Sequence, residues 1–169
     1  RSWTINPNSV SDCNNYNDTS ATEYITVSVV LCGTYTIGGL NPDFVNFTQA
    51  ANALNLFGIS CPVLFKVRDG SYSESITINA IAGSSSVNTV TFESESGDSS
   101  LVVLNGISLI GSQYFLFKKI RINGLGTGAL RLSASAGNVW VNNCWLNASP
   151  SAVTLATLGG SVYIRSNNI

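Results

Sequence analysis

The sequence predicts an all-β fold, a right-handed parallel β-helix of about five coils of 23 to 25 residues behind one N-terminal helix. Two observations predict it. Short segments of alternating apolar residues recur along the chain, separated by Gly, Asn and Ser corners. Helical spacing of apolar residues is confined to residues 41–58. Coils without a helix exclude an α-solenoid, and crossovers between parallel strands are almost always right-handed.

Length and composition exclude several classes of protein. The chain has 169 residues, enough for one domain, of which 10% are charged, and its net charge is -1 with no His. Nucleic-acid binding requires a basic field, so no nucleic-acid partner is expected. No apolar run reaches the roughly 18 residues of a membrane span. The polar residues are mainly Ser, Thr, Asn and Gly, which is typical of an extracellular or cell-surface location.

The N-terminal residues 1–31 differ from the rest of the chain. They are rich in Asn and Ser before the strand-like stretch "EYITVSVVL", and they either pair along the first coil or end a preceding domain. Residues 32–61 are predicted to form a cap. Residues 62–169 are predicted to form the coils, with the remainder of a longer protein beyond Ile169, because that residue ends a strand without a cap.

The cap is predicted to contain an amphipathic helix. Its apolar positions recur at helical spacing: Phe47, Ala50, Leu54 and Phe57. Asn46 or Thr48 is the N-cap, and Gly58 ends the helix. We expect the apolar face to cover the open end of the first coil, because an uncapped solenoid exposes both its core and a strand edge.

Four cysteines lack the paired spacing of a zinc site, and no His can complete one. Cys32 and Cys61 bracket the cap and are either paired in a disulfide or both reduced. Cys13 and Cys144 are placed outside any disulfide, and Cys144 is expected to act as a small buried hydrophobe.

The repeat aligns the coils into ladders. Two inward apolar ladders are predicted: Phe65, Val90, Phe115, Val139 and Val162, and Val67, Phe92, Phe117, Val141 and Ile164. One residue after the second ladder lies an outward row: Arg68, Glu93, Lys118, Asn142 and Arg165. Alternating charges on adjacent strands attract, so this row is interpreted first as a stabilising feature.

Residues 32–104 carry a more specific signal. The segment "FTQAANAL" followed by "VLFKVRDGSYSESITI" resembles the opening of pectin methylesterases and related pectinase-like proteins. The same region resembles the N-terminal part of large parallel β-helix surface proteins of Bacteroidota, which implies export by type IX secretion machinery. In this family Glu74 belongs to a Y-x-E pattern, and its implied role is to anchor a corner. The resemblance supplies no catalytic residue, because the family's acids and bases lie on later coils.

Two weak candidate sites follow from the register. Aromatic and apolar side chains are expected on outward strand positions: Tyr114, Leu116, Trp140 and Tyr163. The stacked members of this set form either a carbohydrate platform or a surface that residues 1–31 cover. Three carboxylates lie within six residues: Glu93, Glu95 and Asp98. They fit calcium binding, a glycosidase pair, or a solvated strand end and turn, and the neighbouring bases favour the last.

The function predicted from these observations is non-enzymatic. The chain is expected to be a secreted or cell-surface module of a larger adhesin or structural protein, with a rigid face that binds glycans or a neighbouring surface. The alternative is the N-terminal portion of a polysaccharide lyase, esterase or hydrolase whose catalytic coils lie elsewhere. No cofactor is expected other than calcium.

Overall fold

The computed structural model describes residues 30–125, 128–149 and 151–165. Within these residues the fold is mostly parallel β-sheet with one helix. The elements in chain order are β1 (Leu31–Ile37), α1 (Phe47–Phe57), β2 (Ile59–Val67), β3 (Gly70–Ile78), β4 (Val90–Ser94), β5 (Val102–Ile110), β6 (Gln113–Lys118), β7 (Arg121–Leu125), β8 (Leu130–Ser133), β9 (Gly137–Asn142), β10 (Trp145–Ser149), β11 (Val153–Leu155) and β12 (Val162–Arg165).

The strands form two parallel sheets. Sheet A has the order β1-β2-β4-β6-β9-β12. Sheet B has the order β10-β7-β5-β8-β11, and β3 also pairs with β5. After α1 the chain alternates between the sheets, so that β2, β4, β6 and β9 of sheet A are each followed by one or two strands of sheet B. The alternating strand patterns turn one side of each sheet toward a shared apolar core.

A stack of phenylalanines lies at the centre of the core. The rings of Phe65 and Phe92 lie 4.6 Å apart at 18°, and those of Phe92 and Phe117 lie 5.7 Å apart at 11°. All three side chains are fully buried. Adjacent parallel strands place equivalent side chains about 4.8 Å apart, which allows the rings to stack face to face.

The predicted register is wrong between the first two rows of sheet A. Val63 pairs with Val90 and Phe65 with Phe92, two residues earlier on β2 than predicted. The later rows follow the predicted pairs from β4 to β12. The alternating residues of β2 permit either register, because a shift of two keeps the same side chains inward. Pairing Phe65 with Phe92 gives the aromatic stack, which the apolar pattern alone does not specify.

Helix α1 begins at the cap residue Asn46, whose side chain accepts a hydrogen bond from Gln49 N at 2.9 Å. Gln49 Oε1 in turn accepts from Val45 N at 2.9 Å, which satisfies a second backbone donor near the helix start. Gly58 ends the helix with a φ of 66°. The prediction that Phe57 belongs to the buried face is wrong: Phe57 is 43% exposed, and Ala51 is buried in addition to the other predicted positions.

The helix lies against β3, an edge strand whose only strand partner among the described residues is β5. Asn55 Nδ2 donates to Thr77 O at 3.0 Å, and Asn79 N donates to Asn55 Oδ1 at 2.9 Å. One amide side chain therefore supplies both the donor and the acceptor that a neighbouring strand would supply. This contact blocks part of an edge that is otherwise open to strand addition.

Cys32 of β1 and Cys61 of β2 form a disulfide, with their Cα atoms 4.9 Å apart. The bond joins the edge strand of sheet A to its only neighbour in the described part of the chain. It closes a loop of sequence separation 29 that contains α1. The disulfide and the Asn55 contact therefore hold the same end of the two sheets.

Candidate functional site

The outer face of sheet A carries the row for which the sequence left two alternatives, a carbohydrate platform or a surface that residues 1–31 cover. Leu116 pairs with Trp140, and Trp140 pairs with Tyr163, on three successive strands. The rings of Trp140 and Tyr163 stack at 5.7 Å with an interplanar angle of 9°. The guanidinium of Arg165 lies 5.8 Å from the centre of the Tyr163 ring. The row therefore presents aligned ring edges with a cation beside them.

The row extends further than the sequence analysis expected. Thr34, Leu64 and Thr91 continue it across β1, β2 and β4. These residues line a depression of about 310 Å³ on the same face. The register error on β2 displaced Leu64 and Thr34, whereas the predicted register of β4 already placed Thr91 beside Leu116 and only its alternation was not followed.

Tyr114 does not join this row. It lies between Gln113, which pairs with Gly137, and Phe115, which pairs with Val139, and it has no strand partner of its own. Its φ is 63°, and Asn138 at the matching place on β9 has a φ of 51°. Both residues have left-handed backbone, which interrupts the extended strands at this point without a change of register, so Tyr114 does not follow the alternation that orders Leu116 and Trp140.

A charged row runs beside the aromatic row, but Arg68 is not part of it. Lys66 takes the place predicted for Arg68, and its Nζ lies 3.2 Å from Glu93 Oε2. The row continues through three further residues: Lys118, Asn142 and Arg165. Asn142 thus separates two bases, and its Oδ1 is buried with no hydrogen-bond partner among the described residues.

Arg68 instead binds the turn that precedes the helix. Its Nη1 donates to Leu40 O at 2.5 Å and to Gly38 O at 3.2 Å, and its Nε lies 3.3 Å from Glu95 Oε2. These contacts draw Arg68 away from the charged row. Its guanidinium links the turn before α1 to Glu95, the residue that follows β4.

The three acidic candidates are not brought together. Glu93 pairs with Lys66 and Glu95 with Arg68. Asp98 accepts hydrogen bonds from Ser100 N and Ser100 Oγ at 2.8 and 2.7 Å, and these bonds lower the pKa of its carboxyl below the ordinary value. The described residues contain no group of three metal-ligating side chains suited to an ion. Each carboxylate has a local structural contact in place of a shared ligand position.

The thiol of Cys144 is buried, and its surroundings disfavour ionisation. Burial raises the pKa of the Cys144 thiol to about 11, so the thiolate is scarce near neutral pH. Tyr72 is half-buried, burial raises the pKa of its hydroxyl, and that hydroxyl donates to the carbonyls of Arg68 and Ile37. Burial therefore disfavours the ionised forms of both the Cys144 thiol and the Tyr72 hydroxyl.

Comparisons with protein-family models, curated proteins and solved structures found no match to this chain. The resemblance to pectinase-like and Bacteroidota surface proteins therefore remains a prediction. The single helix in the described residues is too short to cross a membrane.

Proposed function

We propose that the two parallel sheets are faces of a right-handed parallel β-helix, and that the chain is a secreted or cell-surface module of a larger adhesin or structural protein. The observation that carries the proposal is the stack of Trp140 on Tyr163 in an outward row of sheet A. The alternation of the chain between parallel sheets supports the fold, since each passage adds one strand to sheet A and one or two strands to sheet B. The Cys32–Cys61 disulfide supports export, because disulfides persist in oxidising compartments.

The ligand we assign to this row is a neutral glycan. Trp140 and Tyr163 supply apolar ring edges, and Tyr163 is 38% exposed. Sugars present apolar C–H groups beside hydroxyls, so they match an aromatic surface with nearby donors. Arg165, next to the Tyr163 ring, supplies such donors. Because the rings are already stacked on each other, binding requires little ordering of side chains.

The proposal is tested with immobilised neutral polysaccharides: cellulose, xylan, mannan and chitin. We expect the protein to bind at least one of them, and the Trp140→Ala/Tyr163→Ala variant to lose about tenfold or more in affinity. Phe57→Ala is the control, because Phe57 is an aromatic residue that is 43% exposed and lies on α1, outside the row on sheet A. Equal losses in the two variants, or no binding to any of the four, would contradict the proposal. Release of reducing ends by the native protein would favour the alternative of a polysaccharide-degrading enzyme.

A further inference from the structure

The charges of this chain are distributed unevenly. All nine acidic residues precede Ser99, whereas the bases Lys118, Lys119, Arg121, Arg131 and Arg165 follow it. The segment from Ser99 to Ile169 therefore has a formal charge of +5, although the whole chain has a net charge of -1. This segment contains β5 to β12. Such an asymmetry favours an anionic partner for this half of the molecule.

The outer face of sheet B is the part of this segment that carries bases without acids. Arg121 and Arg131 lie at its outward strand positions, and none of its described outward positions holds a carboxylate. The acidic residue of this sheet, Glu74, lies on the inward side of β3 and binds the start of α1. Other outward positions carry hydroxyls, amides and one indole: Ser75, Thr77, Ser108, Asn123, Trp145, Asn147 and Thr154.

Arg121 is held in a defined position on this face. Its guanidinium carbon lies 4.5 Å from the centre of the Trp145 ring on the paired strand. Its Nε donates to Asn123 Oδ1 at 3.1 Å. These contacts leave the two terminal nitrogens without a hydrogen-bond partner among the described residues. A guanidinium that is oriented in this way loses little freedom when it binds an oxyanion.

Arg131 offers a second cation in a different setting. It is exposed and forms no ion pair within the described residues. It lines a depression of about 190 Å³ together with Ser75, Thr77 and Ser108. The backbone is open there because Gly106 has no side chain, and a Cβ at that position would lie 3.2 Å from Ser75 Oγ. The depression therefore combines one unpaired guanidinium with three hydroxyl groups.

The two arginines flank a break in the alternation of β5, where Gly106 and Ile107 are both buried. Arg121 pairs with Val103 and Arg131 with Ser108, five residues apart on β5. At about 3.3 Å per strand residue, the two positions are at most roughly 16 Å apart along the strand. The polar side chains between them can donate to and accept from sugar hydroxyls. A linear ligand that follows β5 would therefore meet one cation near each end of the strand.

We propose that this face of sheet B binds a sulfated polysaccharide, with sulfate esters at Arg121 and Arg131. This inference rests on the proposed function, because it takes glycans as the ligand class. It adds a second binding site on sheet B to the row of Trp140 and Tyr163 on sheet A. Both cations are arginines, which are delocalised and weakly hydrated and bind oxyanions through paired donors. A sulfate ester spreads its charge over three oxygens and is also weakly hydrated, whereas a carboxylate is hydrated more strongly. A sulfate ester therefore loses less solvation energy than a carboxylate does when it binds to Arg121 or Arg131.

Nucleic acid fits the same face less well. Duplex DNA carries one charge per about 1.7 Å of its axis, so two arginines separated by at most roughly 16 Å would leave most phosphates unmatched. The aromatic contribution is also small, because Arg121 already lies over the Trp145 ring. Base stacking requires an accessible ring face.

The test compares three forms of one polymer: dextran sulfate, carboxymethyl dextran and unmodified dextran, in about 0.15 M salt. We expect the wild-type protein to prefer dextran sulfate at least tenfold over carboxymethyl dextran. Arg121→Gln/Arg131→Gln should lose tenfold or more in affinity for dextran sulfate. Lys118→Gln/Lys119→Gln is the matched control, because it removes the same charge from the end of β6 and from the corner that follows this strand. It should stay within about twofold of the wild type.

Each other outcome overturns the inference. Equal losses in the two double variants would mean that net charge alone drives binding, and equal affinity for carboxymethyl dextran would remove the sulfate assignment. Tighter binding to a DNA duplex than to dextran sulfate would mean that the outer face of sheet B binds nucleic acid and not a sulfated polysaccharide. Arg131→Gln alone keeps the test valid if Arg121→Gln impairs folding, because Arg131 has no ion pair to lose. Unchanged binding to a neutral polysaccharide in these variants would separate failure of this site from failure of the proposed function.

Discussion

Replacing Glu74 by Ala should destabilise the protein, because the Glu74 carboxylate binds backbone N–H groups at the start of α1 in addition to the Asn46 cap. Glu74 Oε1 accepts from Phe47 N at 2.8 Å, and Glu74 Oε2 accepts from Thr48 N at 3.0 Å and from the Thr48 hydroxyl. Phe47 and Thr48 are the first two residues of α1, whose N–H groups have no acceptor within the helix. The carboxylate comes from β3, so one side chain joins the helix to the sheet.

The magnitude follows from these contacts. Loss of a capping acceptor costs about 1 kcal/mol per backbone donor, and two donors are affected. Removal of a negative charge at a helix N-terminus adds about 0.3 to 1 kcal/mol. We therefore expect Glu74→Ala to lower the free energy of unfolding by about 3 kcal/mol, which corresponds to a fall in Tm of roughly 6 to 12 °C for a domain of this size. Glu74→Gln keeps one acceptor and should lose about half as much.

The assay is urea and thermal unfolding followed by far-ultraviolet circular dichroism. Glu95→Ala is the control, because Glu95 also forms a contact with a distant segment, but as an exposed ion pair with Arg68. Such pairs contribute about 0 to 1 kcal/mol. If Glu74→Ala costs no more than Glu95→Ala, the cap across two elements does not stabilise the fold and the reasoning fails.

Three further predictions concern stability and reactivity. Substitution of Cys32 and Cys61 by Ser should lower the free energy of unfolding by about 3.6 kcal/mol, from the loop entropy of a 29-residue separation, and unchanged urea midpoints would contradict this. Burial raises the pKa of the Cys144 thiol to about 11, so in peptide-resolved labelling with iodoacetamide at neutral pH the Cys144 peptide should react only after unfolding. Rapid labelling of this peptide in the native protein would contradict the burial of the thiol. Hydrogen bonds from Thr36 lower the pKa of Asp43 below 3.8, so its stabilisation is present above that pH and is lost as pH falls through the folded pKa. Asp43→Asn should therefore destabilise the protein at pH 7 and flatten its acid dependence, and a parallel pH profile would argue against this role.

Much of the local structure could be predicted because it depends on short-range patterns. Alternation in "FLFK" and "VWVN" predicts strands whose inward and outward sides the structure reproduces, including the outward row of Leu116, Trp140 and Tyr163. Asn46 was one of two predicted caps, and Gly58 ends the helix. These features are local because caps, corners and alternation involve residues only a few positions apart.

The errors arose where two distant segments meet. The residues around Phe65 allow two registers against β4, and the Phe65–Phe92 stack distinguishes them. That error carried over to Arg68, which was assigned to a charged row that Lys66 occupies. Phe57 fits the helical spacing of a buried face, yet it is exposed, because the orientation of α1 on β3 decides which part of the face is covered.

Local sequence patterns were enough to predict which segments become strands, where the helix of the described residues ends, and which side of most strands is apolar. Those properties follow from backbone preferences and side-chain polarity within a few residues. Only the tertiary structure decided which strands are neighbours and in which register, that Glu74 binds the start of α1, and that Arg121 lies over Trp145 while Arg131 remains exposed. The physical reason is that these contacts join residues on different strands or a strand and a helix, and their energies depend on distances that no local pattern encodes.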